Sequence, residues 1–227
     1  MDNGSHQTQV PRRVAHFLRT YPRLGSEPVL DVGCGVLTPH LRHFGPGSIG
    51  LDGAEVEPPD RCHFVRWNFS SDIPTLLDGE GLPRAFEFVW CQDVFEHVLS
   101  PHEFLLNLRR ALRPDGLLFL GVPLINRLGP LADNRRNPLN YFRGFLSQDH
   151  VNFFTFRTLK YTVEFAGLEL RDWYSPFFKG WKRPPRFGIE PVVIMVLSPV
   201  PGFEYGPKAA KVLVDGRLHW KGFIAKE

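Results

Sequence analysis

Two histidines and a short acidic turn are the residues of this chain best suited to move a proton or hold an ion. His97 and His150 carry imidazoles, the side chain that titrates nearest neutrality. Each is a candidate general base, with a structural hydrogen bond as the equal alternative. Asp93, Glu96 and His97 stand at i, i+3 and i+4, a spacing that gathers two carboxylates and an imidazole on one face of a helical turn. A divalent ion could bind there, but the expected site set contains no metal.

A second group of residues suits a bound nucleotide. Val29-Leu30-Asp31-Val32-Gly33-Cys34-Gly35 reads as a buried strand ending in two alternating glycines, which permit a tight turn and close backbone approach. Thr38 to Phe44 reads as a following helix, whose free amides would face whatever sits over the glycines. Ser48 to Leu51 is a second strand closed by Asp52, about 20 residues beyond Gly33, where an acid can accept both ribose hydroxyl hydrogens. After a third strand, Cys62 to Arg66, Asn68 offers an amide to a base edge and Phe69 a ring to its face.

The elements that must position these groups alternate along the chain. Pro11 to Thr20 reads as a helix with Val14, Phe17 and Leu18 on one stripe, and Phe86 to Cys91 as a central strand leading to Gln92 and Asp93. Pro101 opens a helix to Leu112, Arg113-Pro114-Asp115-Gly116 stops it, and Leu117 to Val122 is a fifth strand. Thr155 to Ala166 reads as a helix, with Glu169 to Tyr174 and Val192 to Leu197 as two further strands. This alternation predicts an α/β, doubly wound, mostly parallel sheet whose ligands sit at the carboxyl ends of the strands.

Composition excludes several classes. With 227 residues, 43% hydrophobic and 22% charged, the chain can bury a full core as one domain. A net charge of +3 does not point to nucleic acid, and no apolar stretch is long enough for a membrane span. Cys34, Cys62 and Cys91 lack paired spacing, which argues against disulfides and a zinc ribbon and makes a reducing cytoplasm the expected location. The oligomeric state stays open.

The ordered set Val29–Gly35, Gly50-Leu-Asp52, Phe64–Asn68, Phe86–Val98 and Leu108–Leu120 resembles the class I S-adenosylmethionine-dependent methyltransferases, with an echo in His150–Leu159 leading to Phe165–Leu168. The resemblance implies a Rossmann-like seven-stranded sheet with an antiparallel last strand, and S-adenosyl-L-methionine as cofactor. It implies that Asp31, Gly33, Cys34 and Gly35 hold the amino-acid end, that Asp52 with Gly53 takes the ribose, and that Asn68 and Phe69 meet the adenine. Asn68 stands where the family usually has an Asp, and its amide oxygen could accept the same hydrogen bond; Leu37 stands where a third glycine is usual. Gln92 and Asp93 would border the methyl group, with His97 or His150 as base. Some O-methyltransferases of quinone biosynthesis and small-RNA end modification use a similar Glu-x-x-Glu-His as a magnesium site, with Asp93 here replacing the first Glu.

The expected organisation is an N-terminal helix region, 1–28, a methyltransferase domain, 29–198, with a substrate lid at 124–150, and a C-terminal extension, 199–227, containing a hairpin turn at Asp215-Gly216. Arg127, Arg135, Arg136 and Arg143 in the lid suit an anionic small-molecule substrate. The leading expectation is O-methylation of a small molecule. The alternatives are a tRNA or protein methyltransferase, motivated by Lys179, Lys182, Arg183 and Arg186 among aromatic residues, and a non-catalytic S-adenosylmethionine-binding protein.

Overall fold

Alternating side chains on short apolar strands need cover on both faces, and the chain supplies it from different helices. The computed structural model describes residues 10–125, 150–175 and 192–205. Its elements in order are α1 (Arg12–Thr20), β1 (Val29–Val32), β2 (Ile49–Asp52), β3 (His63–Arg66), α2 (Ile73–Gly79), β4 (Phe86–Gln92), α3 (Pro101–Arg110), β5 (Leu112–Pro123), α4 (Phe156–Phe165), β6 (Leu168–Tyr174) and β7 (Val192–Pro199). They form one seven-stranded sheet in the order β3-β2-β1-β4-β5-β7-β6. Strands β1 to β5 pair in parallel and β7 runs antiparallel to both β5 and β6, as the resemblance implied.

The period of two sorts the core. Leu30, Val32, Val89, Cys91, Leu118 and Leu120 face α2, α3 and α4, whereas Val29, Phe88, Trp90 and Phe119 face Val14 and Phe17 of α1. The order reverses between β1 and β4, so the crevice that binds ligands in open α/β sheets lies at the carboxyl ends of these two strands and their neighbours.

Two expected features fold differently. The helix expected over Thr38 to Phe44 is a single 3₁₀ turn, Leu41–His43. Thr38 takes a left-handed φ of 45°, and Gly45 lies so close to the Ser26–Glu27 backbone that an added Cβ would sit 2.3 Å from the Glu27 carbonyl oxygen. Two turns of chain between such constraints are too short to nucleate a helix, so no helix N-terminus backs the glycine turn. The stretch Arg113–Gly116 is not a helix stop either: α3 ends at Arg110, and these four residues form a bulge within β5, between the Phe86–Leu112 and Phe88–Leu117 pairs. At Gly116 an added Cβ would sit tightly against the Phe86 and Glu87 carbonyl oxygens, at 3.0 and 3.1 Å.

Helix α2 was not anticipated, although Asp72 caps it from Thr75 N–H and Pro74 lies in its first turn. The arginines of the expected lid, the basic and aromatic stretch and the C-terminal hairpin lie outside the described residues. Among the described residues no helix is long and apolar enough to cross a membrane.

Candidate active site

Parallel register brings the ends of β1, β2, β3 and β4 to one edge, where a cleft of about 790 Å³ opens. Gly33 and Gly35 turn the chain after β1 with φ of 75° and 67°. Only glycine fits at 33, where an added Cβ would lie 2.1 Å from Val94 Cγ2; at 35 the same atom would meet open space. The turn is anchored by Gly33 N–H and Cys34 N–H donating to the Leu51 carbonyl, 2.7 and 3.2 Å, and by Gly35 N–H donating to Asp52 Oδ2, 2.9 Å. Ala54 N–H holds the other Asp52 oxygen at 3.0 Å, so backbone amides aim this carboxylate and each oxygen keeps a lone pair for a ligand.

Asp31 is buried at 1% exposure, and neither carboxylate oxygen has a hydrogen-bond partner among the described residues. Burial, and after it the nearby Asp52 charge, pushes its carboxyl up to about 8. Cys34 contributes backbone only: its Sγ packs over Gly50, where a Cβ would come within 2.7 Å, and burial pushes the thiol up to about 12.

At the end of β3, Asn68 Oδ1 accepts from Ser70 N–H at 3.1 Å, Ser71 N–H at 3.2 Å and the Ser70 hydroxyl at 2.9 Å. That oxygen, expected to accept from a base, is therefore committed to the turn. Phe69, with φ of 64°, packs tilted by 38° against Trp67 at 4.7 Å between ring centroids, with Gly53 beside its ring. Beyond it, buried Asn107 of α3 accepts from Ile73 N–H at 2.8 Å and donates to the Ser71 carbonyl at 2.9 Å, tying α2 to α3 at the far end of the cleft. A polar residue on an otherwise apolar helix face was the sequence signal for this clamp.

At the end of β4, Gln92 is buried over Gly121 and donates to Asp93 Oδ2 at 2.9 Å. Asp93 has φ of 56° and faces Arg13 of α1 at 3.7 Å. Sequence reasoning missed Arg13 and also His40, whose ring lies 5.6 Å from Trp90 and whose pKa falls to about 4, chiefly through burial, with Arg13 and His43 adding to the effect and Asp93 opposing it. Three of the four non-glycine residues with left-handed φ among the described residues, Thr38, Phe69 and Asp93, follow β1, β3 and β4; strain of this kind collects at ligand sites.

Residues 93–98 form turns rather than a helix, so Asp93 does not join Glu96 and His97. His150 does instead. Ligand atoms of Glu96, His97 and His150 lie within 4.8 Å of one another. Glu96 Oε1 is 3.8 Å from His97 Nε2 and 3.9 Å from His150 Nε2, and the imidazoles meet edge to face at 4.8 Å. Val151 N–H and Asn152 N–H donate to the Glu96 carbonyl at 2.9 and 3.0 Å, which fastens His150 to this corner.

The structure thus brings Gly33, Gly35, Asp52, Asn68, Phe69, Asp93 and His97 to the cleft wall, with His150 beside His97. Asp31, Cys34, Gly53 and Gln92 are not among the residues that line the cleft itself. A glycine turn that a Cβ would fill, an aimed carboxylate, an aromatic face and an unpartnered buried acid fit a nucleoside joined to an amino acid.

Comparison with known proteins gives the same reading. A family model described as a methyltransferase domain matches residues 6–172. The ubiquinone biosynthesis O-methyltransferase of Roseobacter denitrificans is 30% identical over 130 residues, covering 54% of this chain and 47% of that protein. The protein of the same name from Pseudomonas paraeruginosa is 26% identical over 181 residues, covering 70% of this chain and 73% of its own. The chain thus spans about half the length of the first of these relatives. A solved S-adenosylmethionine-dependent methyltransferase from Mesorhizobium loti shares the fold, with TM-score 0.52 at 14% identity over 81% of this chain and 95% of its own.

Proposed function

The chain belongs to the class I S-adenosylmethionine-dependent methyltransferase family, and from that premise we propose that it methylates a hydroxyl group of a small organic acceptor. The observation that carries this reading is the Glu96, His97 and His150 cluster beside the β4 end of the cleft. The bound cofactor supplies a sulfonium methyl that is already activated, so the protein must align the acceptor and remove its proton. The Gly33–Gly35 backbone holds the amino-acid end, Asp52 accepts from the ribose hydroxyls, and Phe69 covers the base. Arg13, beside Asp93, offers a cation to the cofactor's carboxylate.

His97 or His150 takes the acceptor's proton, and the Glu96 carboxylate, within 3.9 Å of both rings, stabilises the resulting imidazolium. The names of the O-methyltransferase relatives support oxygen as the acceptor atom. Exposed Val151 and Phe153, which follow His150, and Ile125, whose N–H donates to the Phe154 carbonyl, suit an acceptor with an apolar face. The same convergence of one carboxylate and two imidazoles favours a second reading, in which Glu96, His97 and His150 hold a divalent cation that polarises the hydroxyl.

Replacing His97 or His150 by Gln tests both readings. Affinity for S-adenosylhomocysteine, measured by calorimetry, should hold within about twofold while turnover falls about 100-fold or more. Unchanged turnover removes the histidines from the chemistry. Activity lost on chelation and restored by magnesium or manganese selects the cation; indifference to chelation selects the base.

A further inference from the structure

We propose that Asn68 selects the cofactor's base by donating a hydrogen bond from Nδ2 to a ring nitrogen, rather than by accepting one from the 6-amino group. This rests on the reading that S-adenosylmethionine occupies the cleft. Ser70 N–H and Ser71 N–H are obligate donors, and both point at the same side-chain atom of Asn68, at 3.1 and 3.2 Å. That atom must be the oxygen, which fixes the amide's orientation without ambiguity. The Ser70 hydroxyl, at 2.9 Å, uses its remaining acceptor capacity.

Asn68 is exposed and lines the cleft, so the polar group it has left for a ligand is the NH₂, a donor only. The sheet order sets β3 next to β2. A nucleoside whose ribose sits on Asp52 therefore carries its base to the end of β3, where Asn68 and Phe69 stand. An adenine 6-amino group is also a donor and cannot pair with Nδ2, whereas the ring nitrogens are acceptors. A carboxylate at position 68 would have the opposite preference.

Calorimetric titration with S-adenosylhomocysteine, and with its analogue whose purine lacks the 6-amino group, tests the assignment. The parent should bind the two within about threefold of each other. Asn68→Asp keeps an acceptor for the Ser70 and Ser71 amides and so keeps the turn and the melting temperature, but its second oxygen can only accept, so it should prefer S-adenosylhomocysteine over the analogue by about tenfold. A tenfold preference of the parent for the amino-bearing ligand, or an Asn68→Asp protein that binds the two ligands as evenly as the parent, overturns the proposal. If Asn68→Asp does not fold, the analogue pair on the parent decides alone. Asp52→Ala separates the two readings: it should weaken both ligands if the cleft is the cofactor site, whatever Asn68 does, and a parent that binds neither ligand overturns both.

Discussion

The two ends of the cleft are built on different principles. At the β1–β2–β3 end the hydrogen bonds that aim Asp52 and Asn68 are short in sequence or run between neighbouring parallel strands: Gly35 to Asp52, Ala54 to Asp52, Ser70 and Ser71 to Asn68. At the β4–β5 end the functional groups come from distant segments, with Arg13 meeting Asp93 and His150 meeting Glu96. The first end is a rigid backbone mould whose shape is its function. The second is a meeting of side chains that can be exchanged singly.

This contrast predicts unequal responses to substitution. Gly33→Ala should have the largest effect, because its Cβ would collide with Val94 at 2.1 Å in a left-handed backbone conformation. A loss of roughly 2–4 kcal/mol in urea unfolding is expected, with S-adenosylhomocysteine affinity falling alongside. Retained stability and binding would mean that the cradle is softer than its packing indicates.

Asp31→Asn should act in the opposite direction on stability. Burial, and after it the Asp52 charge, pushes the folded carboxyl up to about 8 from its ordinary value of 3.8, so between those pH values the folded state binds the extra proton. Stability therefore falls as pH rises through this window. The Asn variant should lose that slope and be more stable than the parent at pH 8, by more than about 1 kcal/mol, while binding the cofactor less well if Asp31 meets its ammonium. Parallel pH–stability curves for parent and variant would refute the raised Asp31 carboxyl.

The smallest effect belongs to the second end. Arg13→Met breaks a half-exposed ion pair at 3.7 Å and should change stability by less than about 1 kcal/mol. Its mark should be on cofactor affinity instead, read by the same calorimetry. A variant indifferent in both would leave Arg13 outside the site.

Legibility in the sequence followed the same division. Asp52 and the glycine turn could be read because strand, turn and acid recur at a spacing that parallel pairing enforces. The expected helix after the turn failed because amphipathic spacing carries no information about Gly45 lying against Glu27. The Asp93, Glu96 and His97 grouping failed for a related reason: i, i+3, i+4 spacing joins side chains only where the backbone is helical, and this segment forms turns.

By itself, then, the sequence determined the seven strands, the helices α1, α3 and α4, the glycine turn and the acid beside it, since all of these follow from local periodicity and fixed strand spacing. Only the tertiary structure decided that His150 rather than Asp93 joins Glu96 and His97, that Arg13 reaches the end of β4, and that Asn68 spends its oxygen on its own turn. Those outcomes depend on which way a side chain points once distant segments have packed, and spacing along the chain carries no such direction.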